Sequence, residues 1–156
     1  MQKSKTGLQP EKIHLIKYQL VSGKLENRPD VFELSSEEVK VGTDFNMGFD
    51  LENRIVKSDI RVSYIATGTD EQPVSAEYHF SFYFKTENLD KLIEVKEDKE
   101  ITVDIGLGNA IASITYSTTR GLLMARLQGT VFENYFLPVI NPNDLLQPDS
   151  AAKNEE

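Results

Sequence analysis

The run from Val39 to Glu52 alternates without a break. Val39, Val41, Thr43, Phe45, Met47, Phe49 and Leu51 share one parity; Lys40, Gly42, Asp44, Asn46, Gly48, Asp50 and Glu52 share the other. Successive residues of a strand point to opposite faces, so this is one long half-buried strand with an apolar side and a wet side. Ile60, Val62, Tyr64 and Ala66 repeat the pattern against Arg61, Ser63 and Thr67. After a polar turn closed by Pro73 it resumes as Val74, Ala76, Tyr78, Phe80, Phe82 and Phe84, whose aromatic face is expected to pack in the core. Strands joined by short polar links are most simply antiparallel.

The segment Ile13 to Ser22 reads as a further strand, but its apolar parity slips between Leu15 and Ile16. A bulge explains the slip; so does burial on both faces, which would place this strand in a subunit interface. The stretch from Leu89 to Asp104 is highly charged, with Ile101 and Val103 hinting at a short strand. From Leu107 the period changes. Leu107, Ile111, Ile114, Thr118, Gly121/Leu122 and Ala125 step by three and four, which predicts a helix over roughly 108 to 128, closed by Gly129 as a C-cap. Asn141-Pro142 suits the start of a second short helix. Residues 1–10 are expected to be a flexible arm and residues 148–156 a disordered acidic tail, flanking one domain over 11–147.

Between the two helices lies a crossover restricted by Pro138 and Pro142, which fix φ, remove donors and push the preceding residues out of the helical region. It nevertheless carries Phe132, Tyr135, Phe136, Leu137, Val139 and Ile140. A loop that apolar either caps the protein's own core or lines a groove for something else.

At 156 residues the chain is long enough to bury a real core, and its 39% hydrophobic and 27% charged residues are those of an ordinary globular protein. A net charge of −8 argues against nucleic acid and against an anionic membrane surface as partners. No cysteine is present, which excludes disulfides, thiolate metal sites and cysteine nucleophiles. No apolar run approaches membrane-span length and the N-terminal residues carry no apolar h-region, so the cytosol is the expected compartment. His14 and His79 are isolated within strand patterns, as surface or hydrogen-bonded histidines are, and no metal or cofactor is expected. Gly106 and Gly108 open the helix, but the next dinucleotide-fingerprint position holds Ile111 and no apolar parallel strand precedes them. Nucleophile elbows and Walker loops are likewise missing, although paired carboxylates brought together by the fold alone would escape a sequence reading.

These residues, taken in order, resemble the SecB family of export chaperones. Ile13, Ile16, Ser22, Asn27, Pro29, Val31 and Phe32 fall in the family's order and spacing in the first strand and its exit. Glu38-Val39-Lys40-Val41, Arg61-Val62 and Ala76-Glu77-Tyr78 match successive strands, and Arg120 matches the main helix. Gly129, Pro138-Val139, Asn141 and Asp144-Leu145-Leu146 match the crossover and the second helix. The resemblance covers roughly residues 11 to 147 and rests on collinearity rather than on any one motif. It implies an α+β fold: a four-stranded antiparallel sheet with a long helix, a crossover loop and a short second helix. It also implies a homotetramer, an ATP-independent and non-enzymatic holdase for unfolded preproteins, and hand-over to the SecA motor. The implied peptide-binding residues are Phe45 and Met47 on the second strand with Phe132, Tyr135, Phe136 and Leu137 on the crossover; Glu77 is the implied partner-docking acid. The departures are informative. Leu20 and Lys24 stand where the family places acids for SecA, which argues against that partner and leaves a dedicated client, such as an antitoxin, as an alternative to export. A small α+β ligand-binding protein or enzyme is the competing class; it would show a deep closed pocket rather than an open apolar trough.

Overall fold

The computed structural model describes residues 7–26, 39–67 and 73–147. Strands β1 (Ile13–Leu25), β2 (Val39–Asp50), β3 (Ile55–Thr67) and β4 (Pro73–Thr86) form one antiparallel sheet in the order β1-β4-β3-β2, so β1 and β2 are its edges. A short helix α1 (Leu89–Leu92) and a hairpin of β5 (Ile93–Val95) with β6 (Ile101–Val103) lead into the long helix α2 (Ile105–Arg126). A crossover then runs to a single 3₁₀ turn, Pro142–Leu146. This is the α+β arrangement that the alternating strands and the change of period imply. Among the described residues no helix is long and apolar enough to cross a membrane.

Burial follows parity. In β3 and β4, Val56, Ile60, Val62, Tyr64, Phe80, Phe82 and Phe84 are all fully buried, while Lys57, Arg61 and Glu77 face outward. Burying each of the large rings contributes about 1.5–3 kcal/mol, so this double row is the centre of the core. In β2, Thr43, Phe45, Met47 and Phe49 lie on the same inner face but are only half-buried, because the helix sits over β3 and leaves the edge partly uncovered.

The sequence expectation for the helix is corrected at its start, its buried face and its end. Helix α2 begins at Ile105 because the Asp104 carboxylate accepts from the Leu107 N–H at 3.2 Å and caps the first turn. Its buried side is Leu107, Ile111, Thr115, Thr119 and Leu123, with Gly108, Ala112 and Tyr116. Ile114, Gly121 and Ala125, expected on the core side, are exposed instead. Thr115 is polar, yet it is buried with its hydroxyl 2.7 Å from Ser58 Oγ, so each hydroxyl satisfies the other. The helix ends at Arg126 with Leu127 as its C-cap, so Gly129 is not the cap expected; it lies two residues further on, in the turn, at φ +76°, a left-handed backbone that glycine adopts without strain.

The slip in β1 is a bulge. Leu15 pairs with Phe84 and Lys17 with Tyr83, leaving Ile16 outside the ladder; a second irregularity leaves Val21 between Leu20 and Ser22. Ile16 and Val21 are 54% and 46% exposed, so burial on both faces does not occur within this chain. In the segment expected to be a flexible arm, residues 7–9 precede a 3₁₀ turn at Pro10–Lys12, and Leu8 packs partly buried against the core. The strand-exit residues Asn27, Pro29, Val31 and Phe32 and the tail 148–156 lie outside the described residues.

Candidate polypeptide-binding surface

The crossover is built on the aromatic end of β3. Phe132 packs at 5.5 Å between centroids on Tyr64, and Tyr135 meets the same ring edge-on at 6.4 Å. The Tyr135 hydroxyl donates to the Val39 carbonyl at 3.3 Å, tying the loop to the start of β2. Tyr116 of α2 donates to the Pro138 carbonyl at 2.6 Å, tying it to the helix. Burial pushes the phenol groups of Tyr64 and Tyr116 up, so both rings remain neutral across the physiological range. The loop then turns back along β2, and Asn141 caps the 3₁₀ turn by accepting from the Asn143 N–H.

The six expected peptide-binding residues therefore fall in four places. Phe132 and Leu137 are buried to 0% and 1% exposure, and so belong to the core rather than to any surface. This corrects their assignment: both side chains turn inward to fill the space between α2 and the sheet. Tyr135 is half-buried on Tyr64. Phe45 and Met47 border an open trough of about 290 Å³ at the β2 edge, completed by Phe49, Leu145 and Leu146. Phe136, 52% exposed, borders a second open cleft of about 560 Å³ with Gly121, Met124 and Ala125 of α2 and the polar Gln128, Glu133 and Asn134.

Sequence reasoning missed several of these residues. Phe49 shares the parity of Phe45 and Met47, and that signal was sufficient to find it. Met124 is hidden by the misplaced helix face. Leu145 and Leu146 reach the trough only because the 3₁₀ turn folds back: Leu146 packs close to Gly108, which Met47 also approaches.

Glu77, the expected docking acid, is exposed on the outer face of the sheet. Its ladder partners are Lys24 on β1 and Ser63 on β3. Lys24 and Leu20, expected to share a docking face with it, do not share one with each other. The bulge at Val21 leaves Leu20 opposite Phe80 on the inner face and Lys24 opposite Glu77 on the outer face. Leu20 is a core contact, not a docking position.

Elsewhere on the outer face Asp59 accepts hydrogen bonds from the Ser81 hydroxyl and from His79 Nε2, the latter at 3.0 Å. Burial favours a raised carboxyl pKa, but these two bonds and the Lys57 ammonium 3.5 Å away outweigh it and hold Asp59 below the usual carboxylate range. Both bonds end on the carboxylate, so the serine and histidine are not paired as nucleophile and base. Among the described residues no group of three or more His, Asp or Glu is placed to hold a metal ion.

Fold and surface together define an α+β domain whose apolar troughs flank a crossover packed onto its own core. No family model matches the sequence, and no curated protein matches it. Among solved structures, a SecB-like chaperone of Mycobacterium tuberculosis in complex with a ChAD peptide from the HigA1 antitoxin is similar at TM-score 0.49 and 8% identity, the match covering 83% of this chain and 91% of that one.

Proposed function

We propose that this protein is an ATP-independent, SecB-like chaperone that holds extended apolar segments of unfolded polypeptide and performs no chemistry on them. The observation that carries this is the pair of open troughs on either side of the crossover, one presenting Phe45, Met47 and Phe49 and the other Met124 and Phe136. Both are shallow and open, as suits chain segments of varied sequence, and methionine and aromatic side chains adapt to many apolar partners. The β2 trough also runs beside an edge strand, whose unpaired backbone offers an extended client a ladder to join. The collinear resemblance of the sequence to the SecB family supports the same assignment.

Assembly into a homotetramer is part of this proposal. Leu15, Ile16, Tyr18 and Val21 stand 46–54% exposed on the other edge strand, an apolar edge that a symmetric partner would cover. A dedicated client rather than general export is favoured by one observation, the lysine opposite Glu77, which weakens the face on which a basic SecA tail would dock.

The test is suppression of aggregation. The protein should hold a reduced, unfolded protein in solution without nucleotide and ignore the same protein when folded. Phe45→Asp together with Phe136→Asp should abolish the protection while circular dichroism and melting are retained. Full protection by that folded variant, or equal binding of the folded substrate, would sink the proposal.

A further inference from the structure

The outer face of the sheet, turned away from α2, carries a charge opposite in sign to the molecule as a whole. Register places Lys17 and Lys24 of β1, Lys57 and Arg61 of β3 and Lys85 of β4 on this face, against two carboxylates, Asp59 and Glu77. The chain as a whole is at −8. Of the two carboxylates, Asp59 is engaged within the face. Asp59 accepts from Ser81 and His79 and lies 3.5 Å from Lys57 Nζ, while Glu77 stands opposite Lys24. The outward acids Asp44 and Asp50 belong to the edge strand β2, where Asp44 stands opposite Arg61 and Lys40 shares the same face. Tyr83 orders the middle of the patch: the ammonium groups of Lys17 and Lys57 lie 5.3 Å and 5.8 Å from its ring centroid, one from each neighbouring strand.

We propose that the outer face of β1, β4 and β3 docks an acidic, extended polypeptide segment. Five cations on three neighbouring strands form a field that attracts carboxylates and repels a lysine-rich chain. A polypeptide fits better than a nucleic acid for two reasons. The cations are separated by serines, Tyr83 and the exposed Ile65, which suit a chain whose acids are interrupted by neutral residues. A nucleic acid repeats its charge at every unit, and so would meet Glu77 and the acidic β2 rim while being repelled by the net charge of the rest of the molecule. The face lies on the opposite side of the sheet from both apolar troughs, so an acidic partner and an apolar client are held at once.

Fluorescence anisotropy with three labelled probes decides it: a peptide alternating glutamate and serine over about twelve residues, its lysine counterpart, and an oligothymidylate of the same charge as the first. The glutamate peptide should bind at least about tenfold tighter than either of the others at low ionic strength and weaken as salt is added. Lys24→Glu with Arg61→Glu should lower its affinity at least about tenfold with circular dichroism unchanged; if that variant does not fold, Lys24→Gln with Arg61→Gln is measured instead, with a smaller loss expected. Equal affinities, no measurable binding, preference for the lysine peptide or the oligonucleotide, or undiminished affinity in a folded variant would overturn the proposal.

Discussion

Lys24 stands directly opposite Glu77 across the β1–β4 ladder, and both side chains are exposed. Opposite charges in such a cross-strand pair are mutually favourable by about 0.2–1 kcal/mol, so the glutamate's charge is already answered from within the sheet. A basic tail approaching Glu77 also meets the lysine across the ladder. The SecA of the same organism is therefore expected to bind weakly, and Lys24→Glu to tighten that binding severalfold in a calorimetric titration. Low-micromolar affinity of the unaltered protein, lost on Glu77→Lys, is the contrary outcome.

The crossover phenylalanines should behave as two different kinds of residue. Phe132 is fully buried against Tyr64, so Phe132→Ala should cost about 3–5 kcal/mol in chemical denaturation. Phe136 is half-exposed, so Phe136→Ala should change stability little while weakening an unfolded client by about tenfold, the loss of one ring's burial. Similar stability costs for the two would show that Phe136 also belongs to the core.

Assembly is expected to run through the exposed side of β1. Multi-angle light scattering should give a tetramer at micromolar concentration, and Ile16→Glu should split it, since Ile16 lies outside the ladder and is 54% exposed. A stable monomer of the unaltered protein would defeat this.

Asp59 gives the sheet an acid-sensitive contact. Its carboxyl is held below the ordinary range when folded, so the stability it contributes is present above its unfolded pKa of about 3.9 and is lost as pH falls through the lower folded value. Denaturation of Asp59→Asn and the unaltered protein should show a stability gap that narrows below about pH 4. A gap that widens on acidification would mean the carboxyl is raised instead.

How far the sequence was legible depended on how local the determinant was. The parity of β2 was readable residue by residue, and Val39 to Asp50 pair with β3 in one unbroken register. The face of α2 was not, because Thr115 and Thr119 look polar and become core residues only when the sheet packs against them, with Ser58 of β3 meeting Thr115. The β5–β6 hairpin was half-visible, since Ile101 and Val103 pair with Val95 and Ile93 in a segment dominated by charge. For the binding surface, Phe45 and Met47 were legible from strand parity, whereas Phe132 and Phe136 look alike in a row of apolar residues. Only the direction in which an irregular loop turns each ring separates them, and that is set by contacts with Tyr64 distant in the chain.

The two bulges of β1 separate distance along the chain from position in the sheet. Each extra residue can be deleted and leave every other pairing with β4 as it is, so this strand tolerates a change of length by one or two residues without disturbing the core. A chain that lost such a residue would shift its numbering and keep the pairing with β4, whereas a chain that kept the length and moved the bulge would exchange an inward side chain for an outward one. The counterpart of a β1 residue in a related chain is thus given by what it faces in β4, not by how many residues separate it from its neighbours.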